Sequence, residues 1–315
     1  MALSVAASRN SRELALLGPY TQVDSLLKLR HLASNVSLMQ RQRARQSQSG
    51  GRRSRFRGRG IDFSEVRAYQ PGDDVRSIDW RVTARKGRPH TKVFIEERER
   101  PVLVTVDQRA SMFFGTRRRF KSVLAAEAAG LIAWAALAHG DRAGGLVFGH
   151  QEYVALRPKR SHHTVVHLLR ELDRINHSLT RATPHRGELP LSDALVHLRR
   201  VIRPGSLIYV VSDFHDADEA CEEQLTYFAH HCDLVCVFVH DPLEQELPPA
   251  DLYTVTDGVE RQRIDTSDRS ARSRYRNRFE ARREGLAGIT QRLNARLVML
   301  STDTDPVDVL SQTRY

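Results

Sequence analysis

Residues 102–112 read VLVTVDQRASM. The run is apolar up to Asp107, and Arg109 and Ser111 follow at the next two alternate positions. A carboxylate and a hydroxyl this close together suit a hard cation such as Mg2+, which takes about six oxygen ligands at short range. Asp213 ends a second apolar run, LIYVVS at 207–212, in the same way. Asp107, Ser111 and Asp213 are therefore candidate metal ligands. Arg109 changes the chemistry, because a guanidinium has no lone pair to offer a metal and stays charged in proteins. Beside Asp107 and Asp213 it would neutralise the carboxylates itself, so an internal cation is expected in place of Mg2+. A zinc site built from Cys232, Cys236 and His240 fails on geometry. On a strand these residues spread over ~27 Å at roughly 3.3 Å per residue, too far for one tetrahedral centre.

The elements that must position these acids follow from periodicity. Apolar runs at 102–106, 144–148, 152–156, 207–211, 234–239 and 297–300 alternate with helical patterns at 120–138, 164–175, 191–202, 219–230 and 270–293. Strand runs without polar alternation, separated by helices, imply a mainly parallel sheet covered on both faces. The expected fold class is α/β, doubly wound, with an N-terminal extension. In such sheets ligands bind beyond the carboxyl ends of the strands, where the strand order reverses. Asp107 and Asp213, each just past a strand, are expected to converge there. A short helix is expected at 23–36, with Leu26, Leu27, Leu29, Leu32 and Val36 near helical spacing.

A second constellation runs from 58 to 97 as GRGIDFSEVRAYQPGDDVRSIDWRVTARKGRPHTKVFIEE. Gln70-Pro71-Gly72 is a turn, and Asp73 or Asp74 can cap a short helix carrying Val75, Ile78 and Asp79. Trp80 supplies a large apolar anchor. Arg67, Arg76 and Arg85 can pair with Asp73, Asp74 and Asp79 in charge-assisted forks. With Tyr69, these residues form a candidate interaction surface. Arginines interleave with every acid here, which argues for neutralisation rather than a hydrolytic metal site.

The spaced set Gly58, Gly60, Phe63, Val66, Arg67, Tyr69, Gly72, Asp73, Asp74, Arg76, Ile78, Asp79, Trp80, Ala84 and Arg85 resembles the signature of the domain-of-unknown-function 58 family. Asp107, Ser111 and Asp213 resemble the metal-ion-dependent adhesion site of the von Willebrand factor A fold, which such family members carry after the signature. That site also uses a serine where Arg109 stands, and a threonine from a loop matched here by GELPLSDAL at 187–195, where Leu189 takes its place. The resemblance implies a von Willebrand factor A-like domain with a degenerate adhesion site. It also implies a partner, a MoxR-type AAA+ ATPase, with which such proteins act in chaperone-like assembly or activation of a client protein.

At 40% apolar and 28% charged residues the chain is globular rather than disordered in composition. Its net charge of +11 is concentrated at one end. Residues 1–60 carry twelve Lys and Arg against two acids, whereas 61–315 carry 37 against 36. The stretch 41–60 holds eight arginines, no acid and one sizeable apolar residue, Phe56, and is read as flexible. Such a tail can touch nucleic acid weakly, but the chain has no nucleic-acid module. Three cysteines are too few for a disulfide framework and fit a reducing compartment. The longest apolar run, at 123–138, contains Glu127 and falls short of the ~20 residues of a membrane span. A cytoplasmic protein is expected, divided into a basic segment at 1–60, a signature segment at 61–100 packed on the main domain, and the α/β domain at 101–315. No phosphate-binding loop, nucleophile elbow or zinc-protease motif occurs. The expectation is a non-enzymatic interaction protein without cofactor. A nucleic-acid-binding role for the tail and a magnesium-dependent enzyme are the alternatives.

Overall fold

The computed structural model describes residues 18–39, 61–70, 75–96, 99–180, 183, 187–256 and 261–312. The helices in chain order are α1 (Val23–Lys28), α2 (Trp80–Lys86), α3 (Lys121–Ala138), α4 (His162–Ser178), α5 (Leu191–Leu198), α6 (Glu219–His231), α7 (Pro242–Gln245), α8 (Arg269–Arg292) and α9 (Pro306–Ser311). The strands are β1 (Ile61–Ala68), β2 (His90–Glu96), β3 (Pro101–Asp107), β4 (Arg142–Phe148), β5 (Tyr153–Lys159), β6 (Leu207–Ser212), β7 (Asp233–His240), β8 (Leu252–Thr256), β9 (Arg261–Asp265) and β10 (Arg296–Ser301). By contacts the chain divides into two units, Met1–Arg41 with Arg100–Tyr315, and Gln42–Glu99.

The larger unit is a mixed α/β fold with a mostly parallel central sheet in the order β10-β7-β6-β3-β4-β5. Strands β10, β7, β6, β3 and β4 run parallel, and β5 closes the edge antiparallel to β4. The two faces of the sheet feed two separate cores. Val102, Val104 and Val106 join one core with α3, α4 and the segment around α1, while Leu103 points into the other with α5, α6 and α8. Side chains alternate across a strand, so burial on both faces demands the apolar runs seen in the sequence. Gly145 lets β4 lie against β3, since a Cβ there would sit 2.1 Å from the Val104 carbonyl oxygen.

Helix α3 is apolar all round and long enough to cross a membrane by length and composition, yet 89% of it is buried within the fold. Its one acid, Glu127, is ion-paired to the buried Arg119. Gly130 lies under Leu29 and Leu169, where an added Cβ would stand 3.0 and 3.3 Å from their methyl groups. The expected helix at 23–36 is shorter. Helix α1 gives way to 3-10 turns at Leu29–His31 and Ala33–Asn35. Ser34 and Asn35 favour turns over helix interiors, and the tighter winding still buries Leu32, Ala33 and Val36. Helix α5 likewise stops at Leu198 rather than 202, ahead of β-branched Val201 and Ile202 and the Arg203-Pro204 step, which disfavours helix.

In the smaller unit β1 and β2 pair antiparallel, with a shift in register between Phe63 and Glu65. The helix of the signature begins later than expected. Val75–Ser77 is a 3-10 turn, and Asp79 is itself the N-cap of α2, accepting from the amides of Arg81 (3.0 Å) and Val82 (3.2 Å). Asp73 and Asp74, expected as the cap, lie outside the described residues, as does the tail at 41–60. Trp80, expected as an anchor, is 67% exposed, because it occupies the first turn of α2 on the side turned to solvent. The hairpin β8–β9 in the larger unit was not foreseen.

Candidate functional site

Strand β3 is the first strand of the larger sheet, and the chain builds β4 and β5 on one side of it before crossing to β6 on the other. The order therefore reverses between β3 and β6, and the crevice beyond their carboxyl ends is where such sheets hold ligands. The register sets Val106 beside Val211, so Asp107 and Ser212 emerge side by side. The Ser212 hydroxyl donates to Asp107 Oδ2 at 2.7 Å.

Arg109 folds back over this pair. Its amide and Nε donate to Asp107 Oδ1, both at 3.0 Å, and Nη2 donates to Oδ2 at 2.8 Å. The far edge of the guanidinium reaches Asp216, with Nη2 to Oδ1 at 2.9 Å and Nη1 to Oδ2 at 2.5 Å. Nη1 also meets the Leu189 carbonyl at 3.2 Å. Asp213 goes to a different cation. Lys121, the first residue of α3, donates to Asp213 Oδ2 at 2.8 Å and to Glu244 Oε1 at 2.9 Å. His215 donates its amide (3.3 Å) and Nδ1 (2.9 Å) to Asp213 Oδ1. The expected pairing of Arg109 with Asp213 is thus replaced by one with Asp216. The loop reaches this arrangement through Phe214, whose φ of +48° is uncommon for a residue with a Cβ.

Burial governs the electrostatics. Asp107, Arg109, Lys121 and Asp213 are all at most 1% exposed. Desolvation alone would lower the pKa of Arg109, but Asp107 and Asp216 reverse it and hold the guanidinium above its ordinary value. Lys121 is raised in the same way, with burial offset by Asp213 and Glu244. Burial would push the Asp213 carboxyl up, yet Lys121 and His215 hold it well below the usual range. His215, half-buried, is raised by Asp213 against its own desolvation.

This donor set does not fit Mg2+. Every carboxylate oxygen of Asp107 and Asp213 already accepts from nitrogen or hydroxyl donors, and two fixed cations stand against them. Only Ser111 Oγ, buried and without a hydrogen-bond partner among the described residues, is uncommitted. Among the described residues no group of three His, Cys, Asp or Glu is placed to hold a metal.

Around the ion pairs lie further polar supports. Glu188 accepts from the Ala110 amide at 2.7 Å, and Asp241 accepts from the Thr116 and Thr302 hydroxyls at 2.6 and 2.5 Å. A cavity of about 610 Å3 opens beside them, between α8 and the loops after β6 and β7. His215, Glu244, Tyr275 and Arg282 meet Phe214 and Phe279 in its wall. Sequence reasoning placed Asp107, Arg109 and Asp213 at this end and missed Lys121, Asp216 and Glu244. The available signals were a lone lysine opening an apolar helix and the acid-rich loop SDFHDAD at 212–218.

The remaining candidates, Arg67, Tyr69, Arg76, Asp79, Trp80 and Arg85, belong to the smaller unit. The Asp79 carboxylate caps α2, and Arg67 Nη1 donates to the Ala68 carbonyl at 3.2 Å.

A family model described as "Protein of unknown function DUF58" matches residues 65–285. Uncharacterized proteins of Mycobacterium tuberculosis and Mycobacterium bovis are 32% identical over 254 residues, covering 79% of this chain and 77% of theirs. Among solved structures, the conserved hypothetical protein BatB from Bacteroides thetaiotaomicron aligns at 13% identity with a TM-score of 0.39, over 68% of this chain and 96% of that one. An aerotolerance-related membrane protein from Bacteroides fragilis aligns at the same identity and TM-score, over 68% and 97%.

Proposed function

Since the chain belongs to the family described as protein of unknown function DUF58, we propose that it is a non-enzymatic interaction protein with a von Willebrand factor A-like domain. In this reading it acts in the cytoplasm with a MoxR-type AAA+ ATPase, in chaperone-like assembly or activation of a client protein. The observation that carries the reading is the pairing of the site's acids with internal cations. At the switch point of the sheet, Arg109 and Lys121 saturate the acids that a von Willebrand factor A-like site would give to Mg2+. In a crevice so neutralised, the carboxylates of Asp107 and Asp213 are held by cations rather than poised as base or nucleophile. It retains a shaped rim and an adjoining cavity, which suit recognition of a partner surface. Dinucleotide binding, the other common use of this strand order, is disfavoured, because the turn after β3 (DQRAS) lacks the glycines that admit a pyrophosphate.

The test is a nuclease-treated capture from native lysate with the full chain and with a His215→Ala/Tyr275→Ala variant, which alters the wall of the cavity. Recovery of a MoxR-type ATPase by the parent and its loss with the folded variant is the expected result. Equal recovery by both would move the docking surface elsewhere, and absence of the ATPase from both would overturn the partnership.

A further inference from the structure

At the opposite end of the sheet from Asp107 and Asp213, a cleft of about 290 Å3 is framed by four arginines, Arg142, Arg157, Arg200 and Arg203, and by Pro101 and Pro158. No acid lines it. Three different parts of the larger unit bring the arginines together. Arg142 opens β4, Arg157 comes from the edge strand β5, and Arg200 and Arg203 come from the turn after α5. The turn is fixed by its backbone, with the Arg200 amide bonded to the His197 carbonyl at 3.2 Å and the Arg203 carbonyl accepting from the buried Ser206 hydroxyl at 2.6 Å. Gly144 permits the backbone of Pro158 to approach, since a Cβ there would lie 2.6 Å from the proline nitrogen.

The neighbouring Arg199 shows the contrast. Its guanidinium is 3.9 Å from the centre of the Tyr227 ring and bonds Gln224 at 3.4 Å. The side chains of Arg157, Arg200 and Arg203 make no ion pair or hydrogen bond among the described residues. The exposed guanidiniums of Arg157, Arg200 and Arg203 repel one another through solvent, and an anion entering the cleft relieves that repulsion. They stay charged at any physiological pH, and their planar forks match phosphate oxygens bidentately. The volume lies at the small end of ligand sites, which favours a compact, highly charged group.

The geometry points to an oligophosphate site: the Arg142/Arg157/Arg200/Arg203 cleft binds a ligand through a chain of two or three phosphoryl groups. The test is calorimetry on the full chain with inorganic tripolyphosphate, ATP and citrate. Arg157→Gln/Arg200→Gln alters exposed side chains of the cleft, and Arg52→Gln/Arg53→Gln is the control in the basic tail. One tripolyphosphate per chain, bound at least about tenfold more weakly by the cleft variant and unchanged by the tail variant, is the expected result. ATP binding no tighter than tripolyphosphate assigns the bare chain, and tighter ATP binding assigns a nucleotide; both retain the cleft. Citrate binding as tightly as tripolyphosphate, no binding by the parent, or affinity lost only with the tail variant overturns the site.

Discussion

Arg109 bridges Asp107 to Asp216 in the loop after β6 with a covalently tethered charge. Removing one partner of a buried pair costs more than the pair contributes, because the other charge is left without compensation. Arg109→Ser is therefore expected to lose about 3–5 kcal/mol of stability in urea denaturation. It also places a hydroxyl between Asp107 and Ser111, so millimolar Mg2+ is expected to raise the melting temperature of the variant and not of the parent. Identical Mg2+ responses would sink the replacement idea. His215 gives a pH signature. Its folded pKa lies above the ordinary 6.5, so its contribution is complete below that value and fades as pH rises through the raised one. Asp213 is depressed below 3.8, so its contribution is lost only as pH falls through the lowered value. The stability difference between parent and His215→Gln is expected to be largest near pH 5 to 6 and to vanish in alkali. A difference that grows with pH would contradict the pairing. Asp107 and Arg109 were legible because they sit together in the sequence, next to a strand. Asp216 and Lys121 were not, since their partners lie 107 and 92 residues away and only the β3–β6 pairing and the packing of α3 bring them close.

Elements with one clear hydrophobic pattern were the readable ones, whether buried on both faces or amphipathic like α4. A strand such as β3 has no solvent side, so its residues carry one unambiguous pattern, and the same holds for α3. The hairpin β8–β9 escaped because LYTVT and RQRID mix polar and apolar residues without a clean period. Ends were lost where an apolar stripe runs on into residues that disfavour helix, Ser34 and Asn35 beyond α1 and Val201 to Pro204 beyond α5. Spacing between strands is a separate matter, which periodicity does not express. Gly145 faces the Val104 carbonyl, part of the backbone of a central strand that cannot yield like a side chain tip. Gly145→Ala is expected to cost about 3 kcal/mol through overpacking. A urea midpoint within error of the parent would show that β3 and β4 can separate without loss.

At the scale of the molecule, charge and structure divide the chain differently. The excess of arginine suggests a boundary near residue 60, yet residues 18–39 belong with the α/β unit. Gly18 and Arg118–Phe120 exchange backbone hydrogen bonds at 2.9 and 3.1 Å. The Thr21 amide donates at 2.9 Å to Asn176, which bonds Gln108, the neighbour of Asp107. Leu26, Leu29, Leu32, Ala33, Val36 and Leu38 are each no more than 8% exposed, and they join the core that contains α3. Each buried leucine contributes roughly 1.5–3 kcal/mol, against a total stability of about 5–15 kcal/mol for a typical domain. The N-terminal segment is thus a structural part of the site-bearing unit, and α3 without it presents an apolar face of the kind that drives aggregation. A chain beginning at residue 18 is expected to unfold in urea with the parent midpoint. One beginning at residue 40 retains the arginine-rich stretch but is expected to lose most of its stability and to bind a hydrophobic dye. Equal midpoints for the two would show that the α/β unit closes over α3 unaided, and residues 18–39 would then be an appendage rather than core.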